Sequence, residues 1–372
     1  MDLASQFPLT GTLIHLNHAA VAPWPRVTAE AVKAFADENM KQASLDYPRW
    51  IRTEERLRER IRQLVNARSA SEIALVKNTS EGLSFVASGI DWHRGDNVVG
   101  IRQEFPSNRF PWLALESRGV AFRQLDLDSC GGDPEAALIA LCNERTRLLS
   151  VSAVQYANGF RMDLVRLGEF CRRNGILFCV DAIQQAGAIP FDVRRICADF
   201  AVADGHKWML APEGLGFFYV REEVRDNLAL TQYGWHMAQE LSDYAAEAFR
   251  PAESGRRFEC GSPNMLAIHA LDASLGLLLE TGIDEVWRCL SERMTVLRSG
   301  LGAIPGIDIL SDCSETRLSG ILTFRSADDD ALFSRLQEGG VFCARRGGGI
   351  RLSPHCYTPL PLLETALGLI EG

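Results

Sequence analysis

Two residues define the chemistry this chain can do. Asp181 ends the run ILFCV-D, and Lys207 sits in ADGHKW. A lysine in a poorly hydrated place, next to other cations, loses part of its proton and can condense with a carbonyl to form an imine. An acid facing it can keep a heterocyclic nitrogen protonated. Burying such an acid without a partner is costly, so an aspartate closing an apolar run needs an explanation. Three short apolar runs surround the pair: Ile176–Val180, Phe200–Ala203 and Leu215–Val220, each the length of a buried strand. Gly214 and Gly216 bracket the start of the third. In an open parallel sheet the carboxyl ends of the strands line the ligand crevice. Asp181, Gln184 and Lys207 are therefore expected on one sheet edge. An imine-forming lysine plus an acid for a pyridine nitrogen is the pair that pyridoxal phosphate requires.

Other stretches carry weaker signals, each with a plain structural alternative. KNTSEG (77–82) joins a strand to a helix, and Thr79 and Ser80 there are either an ordinary N-cap or a phosphate seat. Phe105, in EFPSNRFPW, can stack on an aromatic ring or fill a core. In VQYANG (154–159), Gln155, Tyr156 or Asn158 can donate to a ligand, and Asn-Gly is equally a turn. His206 can contact a phosphate or simply pack. FECGSPN places Gly261 and Ser262 before a helix, a second possible anion contact. Arg351, after a glycine run in GGGIRLSPH, can hold a carboxylate in bidentate fashion or lie on the surface. Arg49 and Arg52, on an otherwise solvated helix face, can reach a neighbouring site.

These residues need elements to position them. The 372 residues suggest roughly two domains. From residue 73 onward strands and helices alternate: strands at 73–78, 97–101, 120–125 and 147–154, and helices at 79–90, 111–119, 134–142 and 164–175. That rhythm indicates a mostly parallel α/β sheet. Helices are expected at 26–42 and 49–67 before it, and at 264–282 and 284–303 after it. Beyond these, IDIL, GILTFR, a helix at 329–338, GVFCA and GIRLS read as a smaller α+β layer. The expected division is 18–258 as the large domain and 259–372, with 1–17, as the small one.

Composition narrows the function. A formal net charge of −9 and a pI near 5.4 oppose a nucleic-acid groove. The ten cysteines are scattered with no C-x-x-C pair, as expected of reduced thiols. No apolar run approaches the ~18 residues of a membrane span, and no signal peptide is evident, so a cytoplasmic protein is expected. No G-x-G-x-x-G lies between a strand and a helix, which counts against a dehydrogenase.

HLNHAAVAP, NTSEG, EFPSN-x-x-PW, VDAIQ, ADGHKW, FECGSPN and IRLSP occur in that order along nearly the whole chain. Their sequence resembles the class V aminotransferase family of fold-type I pyridoxal-phosphate enzymes, a group that includes cysteine desulfurases and isopenicillin N epimerases. The resemblance implies a PLP-transferase fold: a large, mostly parallel sheet domain and a smaller α+β C-terminal domain. It implies Lys207 as the Schiff-base lysine and acid/base at the substrate α-carbon, with Asp181 on the pyridine nitrogen and Gln184 on the ring phenolate. Phe105 takes the ring-stacking place. Thr79, Ser80 and His206 hold the phosphate, and Ser262 reaches in from the partner of a homodimer. Arg351, with Asn17 and Tyr156, binds the carboxylate of an amino-acid substrate. The implied activity is transamination, epimerisation or β-elimination. A cysteine desulfurase or selenocysteine lyase with a mobile cysteine is the alternative, and a non-catalytic ligand-binding protein on the same fold is a third. Two departures stand out. Cys343, in the short VFCARRGGG, lacks the pattern that flanks a desulfurase nucleophile and reads as a packed thiol. Asp204 stands where a serine often precedes Gly-His-Lys; it is expected to point away or to orient His206.

Overall fold

The computed structural model describes residues 3–241, 243 and 245–372. Its centre is a seven-stranded sheet in the order Ile73–Val76, Gly216–Val220, Phe200–Asp204, Leu177–Asp181, Thr146–Ser152, Asn97–Ile101 and Ala121–Leu125. Most of these strands are buried along their whole length, which is why they read as unbroken Val, Phe, Ile and Ala runs. All pairings are parallel except those of Gly216–Val220, which is antiparallel to both neighbours. A parallel return would need a crossover of a dozen or more residues, usually a helix. The link 205–215 is too short for that, so the chain turns back at the same edge. This turn carries Gly-His-Lys and leaves Lys207 at the carboxyl end of the sheet, level with Asp181.

The helix expected at 111–119 is split. Phe110–Ala114 is α-helical, Leu115–Arg118 continues as a 3-10 turn, and Gly119 ends it with φ 78°. The other expected helices form within a few residues of their predicted ends. The helix Leu360–Glu371 was not anticipated. It buries Leu363, Ala366 and Ile370 at helical spacing and packs on Ile283–Ala303. Arg26–Gln42 and Tyr47–Val65 both pack on the apolar helix Met265–Thr281. No single helix among the described residues is long and apolar enough to cross a membrane.

A second, antiparallel sheet orders Ala344–Arg346, Gly349–Leu352, Leu322–Arg325 and Asp308–Ile309. Beside it Ile14–His15 pairs in parallel with Val341–Phe342, and Asn17 bridges Ser353. The two sheets are fastened at the turn after Thr146–Ser152. Four consecutive carbonyls there accept bonds from the second layer: Tyr156 from Arg351 Nη1 (2.6 Å), Ala157 from Thr323 Oγ1 (2.7 Å), Asn158 from Ser311 Oγ and Gly159 from Ser319 Oγ (2.7 Å). Gly159 has φ 75°, and a Cβ there would lie 2.4 Å from the Ile321 carbonyl. Both its conformation and its contact exclude a side chain. Gly159→Ala is therefore expected to cost about 2–4 kcal/mol of stability. Urea unfolding checks this; an unchanged midpoint would mean that the turn relaxes freely.

Candidate active site

The carboxyl edge of the large sheet and the tip of the second sheet enclose a cavity of about 320 Å³. Lys207 and Asp181 both line it, and both are buried, at 9% and 2% exposed. Asp181 ends its strand in register with Ser152 and Val202, so its position is set by ladders on both sides. Its carboxylate accepts one backbone bond, from Ile183 N–H at 3.1 Å. Burial pushes its pKa up to about 6, against the pull of that bond and of the Lys207 charge. Burial likewise lowers the Lys207 ammonium to about 8. Asp181 and Asp204 resist that shift, and Arg351 adds to it. At pH 7.5 roughly a quarter of the amine is then free, against about one part in a thousand for an ordinary lysine.

Gln184 lies on the same wall, clamped from behind. Trp208 Nε1 donates to its Oε1 at 2.9 Å, and its Nε2 donates to the Ala19 carbonyl at 3.0 Å. The indole settles the amide's orientation and leaves one N–H for the cavity. Trp208 itself is stacked against His18 and His355, with centroids at 6.1 and 5.7 Å. His18 Nδ1 faces the Ser353 carbonyl at 2.9 Å and therefore carries the proton; Nε2 accepts from the Tyr357 hydroxyl at 2.6 Å. Burial drives both imidazoles well below their usual pKa, His355 to about 3, so the support is uncharged.

Phe105 flanks the cavity. Its ring centroid lies 5.7 Å from Lys207 Nζ and edge-on to Tyr156 at 5.2 Å. The loop that carries it is pinned by buried Asn108, whose Oδ1 accepts from Trp112 Nε1 (3.0 Å) and Ser150 Oγ (2.7 Å). The preceding Glu104 accepts from Ser152 N–H (2.6 Å), from the Ser152 hydroxyl and from Gln155 Nε2 (3.0 Å). Burial raises its pKa to about 7 despite these bonds.

At one end of the cavity the helix Thr79–Gly89 begins. Its N-cap is Asn78, which accepts from Glu81 N–H at 2.9 Å, so Thr79 and Ser80 are free of that task. The buried Thr79 hydroxyl has no partner, and Ser80 Oγ donates to Ser107 Oγ at 2.8 Å. His206 Nδ1 lies 3.0 Å from Asp204 Oδ1 without hydrogen-bond geometry, and both residues line the cavity. Asp204 therefore does not point away; it sits beside the histidine. Gly82 lets the helix sit this deep, since a Cβ there would come within 2.7 Å of Val202 Cγ1.

Arg351, 2% exposed, lines the cavity from the second sheet. Its Nη1 is held by the Tyr156 carbonyl, its Nη2 lies 3.4 Å from Asn17 Oδ1, and its Nε is buried without a partner. Burial, and then Arg346, lower its pKa to about 10, so it stays cationic at neutral pH.

The structure thus brings together Lys207, Asp181, Gln184, His206, Thr79, Ser80, Phe105, Tyr156 and Arg351, with Asn17 behind the last. It does not bring Gln155 or Asn158 to the cavity: Gln155 serves Glu104, and Asn158 accepts from Phe160 N–H. Ser262 is exposed in a different depression, with Gly261, Lys77 and Glu81. Arg49 pairs with Glu38 and Asp46, and Arg52 lies at 4.0 Å from Asp46, so both are occupied locally. Asn78, Ser107, Ser152 and Arg346 line the cavity unanticipated. Of these only Asn78 had a sequence signal, as an Asn opening a helix. Reductive alkylation of Lys207 by a small aldehyde, followed by peptide mass, should climb through pH about 8. A climb only above pH 10 would contradict the buried geometry.

A family model described as aminotransferase class-V matches residues 14–365. A probable cysteine desulfurase of Methanothermobacter thermautotrophicus is 31% identical over 366 residues, which cover 96% of this chain and 88% of the relative. Among solved structures, a C-DES mutant with glycine covalently linked to its PLP cofactor superposes with a TM-score of 0.91 at 22% identity, covering 98% of each chain. The apo cysteine desulfurase of Thermococcus onnurineus NA1 gives 0.87 at 24%, covering 100% of this chain and 96% of that one. With a family match over nearly its whole length and the fold to go with it, this chain belongs to the class V aminotransferase family and is a fold-type I, pyridoxal-phosphate-dependent enzyme.

Proposed function

We propose that the cavity holds pyridoxal phosphate and an amino acid together, and that Lys207 moves the proton at the amino acid's α-carbon. The observation that carries this reading is the convergence of a buried amine, a buried acid and a buried guanidinium on one cavity. The residues present suit the cofactor. An orphaned Thr79 hydroxyl, the free N–H groups of a helix end and His206 suit a phosphate. Asp181, with a single hydrogen bond and a raised pKa, suits a protonated ring nitrogen. When bound, the cofactor supplies an electron sink for negative charge at the α-carbon.

The chain's own residues then divide the work. Lys207, free as an amine often enough at neutral pH, is the residue that would hold the cofactor and serve as general base and acid at the α-carbon. Asp181 would keep a ring nitrogen protonated. Gln184 has one N–H left to offer a ring phenolate, and Phe105 is placed to cover a ring face. Arg351 offers its unpartnered Nε–H to the substrate carboxylate, with Asn17 and Tyr156 fixing the guanidinium. Proton transfer at this carbon is common to transamination, epimerisation and β-elimination.

A second reading, desulfuration of cysteine, is favoured by the name of the 31%-identical relative. If sulfur is released here, direct β-elimination fits better than a persulfide on the protein. Cys343 is buried, burial pushes its thiol up to about 12, and among the described residues no cysteine lines the cavity. The main reading includes a cytoplasmic homodimer in which the Gly261–Ser262 loop serves the neighbouring cavity. The exposure of that loop and the ten unpaired thiols support it. It also divides the chain into 18–258 and 259–372 with 1–17, supported by the pairing of Ile14–His15 with Val341–Phe342.

Borohydride treatment of cofactor-loaded protein should fix the cofactor's mass on the Lys207 peptide, and Lys207→Ala should abolish it. A fixed mass elsewhere, or none, would overturn the reading. Arg351→Gln is expected to weaken amino-acid binding by about 2–3 kcal/mol, or roughly 30- to 150-fold, in a spectral titration. An unchanged affinity would remove Arg351 from the carboxylate site. Any sulfide release from cysteine should survive Cys343→Ala; its loss would restore the thiol route.

A further inference from the structure

The cavity has a second guanidinium that the chemistry above leaves without work. Arg346 lines the same space as Arg351. The two belong to one hairpin, Ala344–Arg346 paired with Gly349–Leu352, with Arg346 opposite Gly349 and Arg351 opposite Ala344. The hairpin tip is seated firmly. Gly347 and Gly348 turn it with φ 62° and 79°, and a Cβ on Gly347 would come within 2.7 Å of the Ala157 carbonyl. That carbonyl belongs to the turn that also receives Arg351 and Thr323. Arg346 is thus held at the cavity by the fastening that positions Arg351.

The pairing of neighbouring charges is uneven. Arg345 is bound to Asp330, Arg325 to Asp308 and Arg317 to Glu135. Arg346 makes no ion pair among the described residues; its one hydrogen bond runs from Nη1 to the Arg345 carbonyl at 2.9 Å. Its charge is felt inside the cavity, where it helps to lower the pKa of Arg351. Two guanidiniums of like charge on one cavity repel unless anions lie between them. In the proposed function the phosphate is seated by the Thr79 helix end, which follows a strand of the large sheet. A neutral amino acid brings one carboxylate, enough for Arg351 alone.

We propose that Arg346 is a specificity-determining residue that reads a second anionic group on the substrate, so that the preferred substrates are amino acids with an acidic side chain. This rests on the proposed function and adds the substrate class to it. Arg351 takes the α-carboxylate. Arg346, nearer solvent on the hairpin tip, takes the distal carboxylate or sulfinate.

The test is a spectral titration of the cofactor-loaded enzyme with aspartate, glutamate and cysteine sulfinate, set against alanine, serine and cysteine. The expected result is that the best anionic amino acid binds at least about tenfold more tightly than the best neutral one. That ratio should shrink as salt is raised. Arg346→Gln should bring it close to one, and Arg346→Lys should keep part of it. Equal binding of the two classes by the unaltered enzyme would overturn the inference alone. So would an equal weakening of both classes in Arg346→Gln, which would assign Arg346 to the α-carboxylate instead. A spectrum unmoved by any amino acid would overturn the proposed function and this inference with it.

Discussion

The structure depends on keeping an amine and a carboxyl group buried on one cavity at one sheet edge. Each is poorly solvated, and each shifts toward its neutral form because of it. Burial of unlike charges without further partners is usually a poor bargain for stability. Here the arrangement is held by stronger elements around it. Asp181 sits in ladders on both sides, and Lys207 is carried in a link too short to do anything but turn back at that edge. The resulting strain is useful, because a protonated heterocycle beside the acid and a carbonyl beside the amine would relieve both. The site is built to be completed.

The surrounding supports are mostly uncharged and deeply packed. Gln184 is fixed by an indole, which is fixed by a stack of neutral histidines, which is fixed by a tyrosine and a carbonyl. Phe105 is fixed through Asn108 and Trp112. The Arg351 side of the cavity depends on a different device: four successive carbonyls of one turn, gripped by the second sheet. The two groups of cavity residues therefore rest on separate layers joined at one place. Displacing the turn at Gly159 would move Arg351 and Arg346 together while leaving Asp181 and Lys207 where they are.

Much of this was legible from the sequence, for a physical reason. Acids and amines at the ends of buried strands are expensive, so Asp181 and Lys207 announce themselves against apolar surroundings. Thr79 and Ser80 were visible because helix starts follow local rules, although the cap itself proved to be Asn78. The mostly parallel sheet followed from its alternating rhythm. What escaped depends on contacts distant in sequence. Nothing local in VQYANG shows that its carbonyls meet residues 311–351, or that only Tyr156 of its three polar side chains faces the cavity. Arg346 carried no signal of its own in the sequence, because its place at the cavity depends on the hairpin it shares with Arg351. For Asp204 the sequence left two options, pointing away or orienting His206, and only the contact between the two side chains decides for the second. The last helix was missed although Pro361 opens it and Leu363, Ala366 and Ile370 follow at helical spacing.

The central claim is that Asp181 and Lys207 grip one ring between them. The most direct measurement is the nitrogen-15 chemical shift of ring-labelled pyridoxal phosphate bound to the protein. A protonated ring nitrogen in the unaltered enzyme, lost in Asp181→Asn while the cofactor stays attached at Lys207, is the predicted result. A shift that is the same in both proteins would contradict the account.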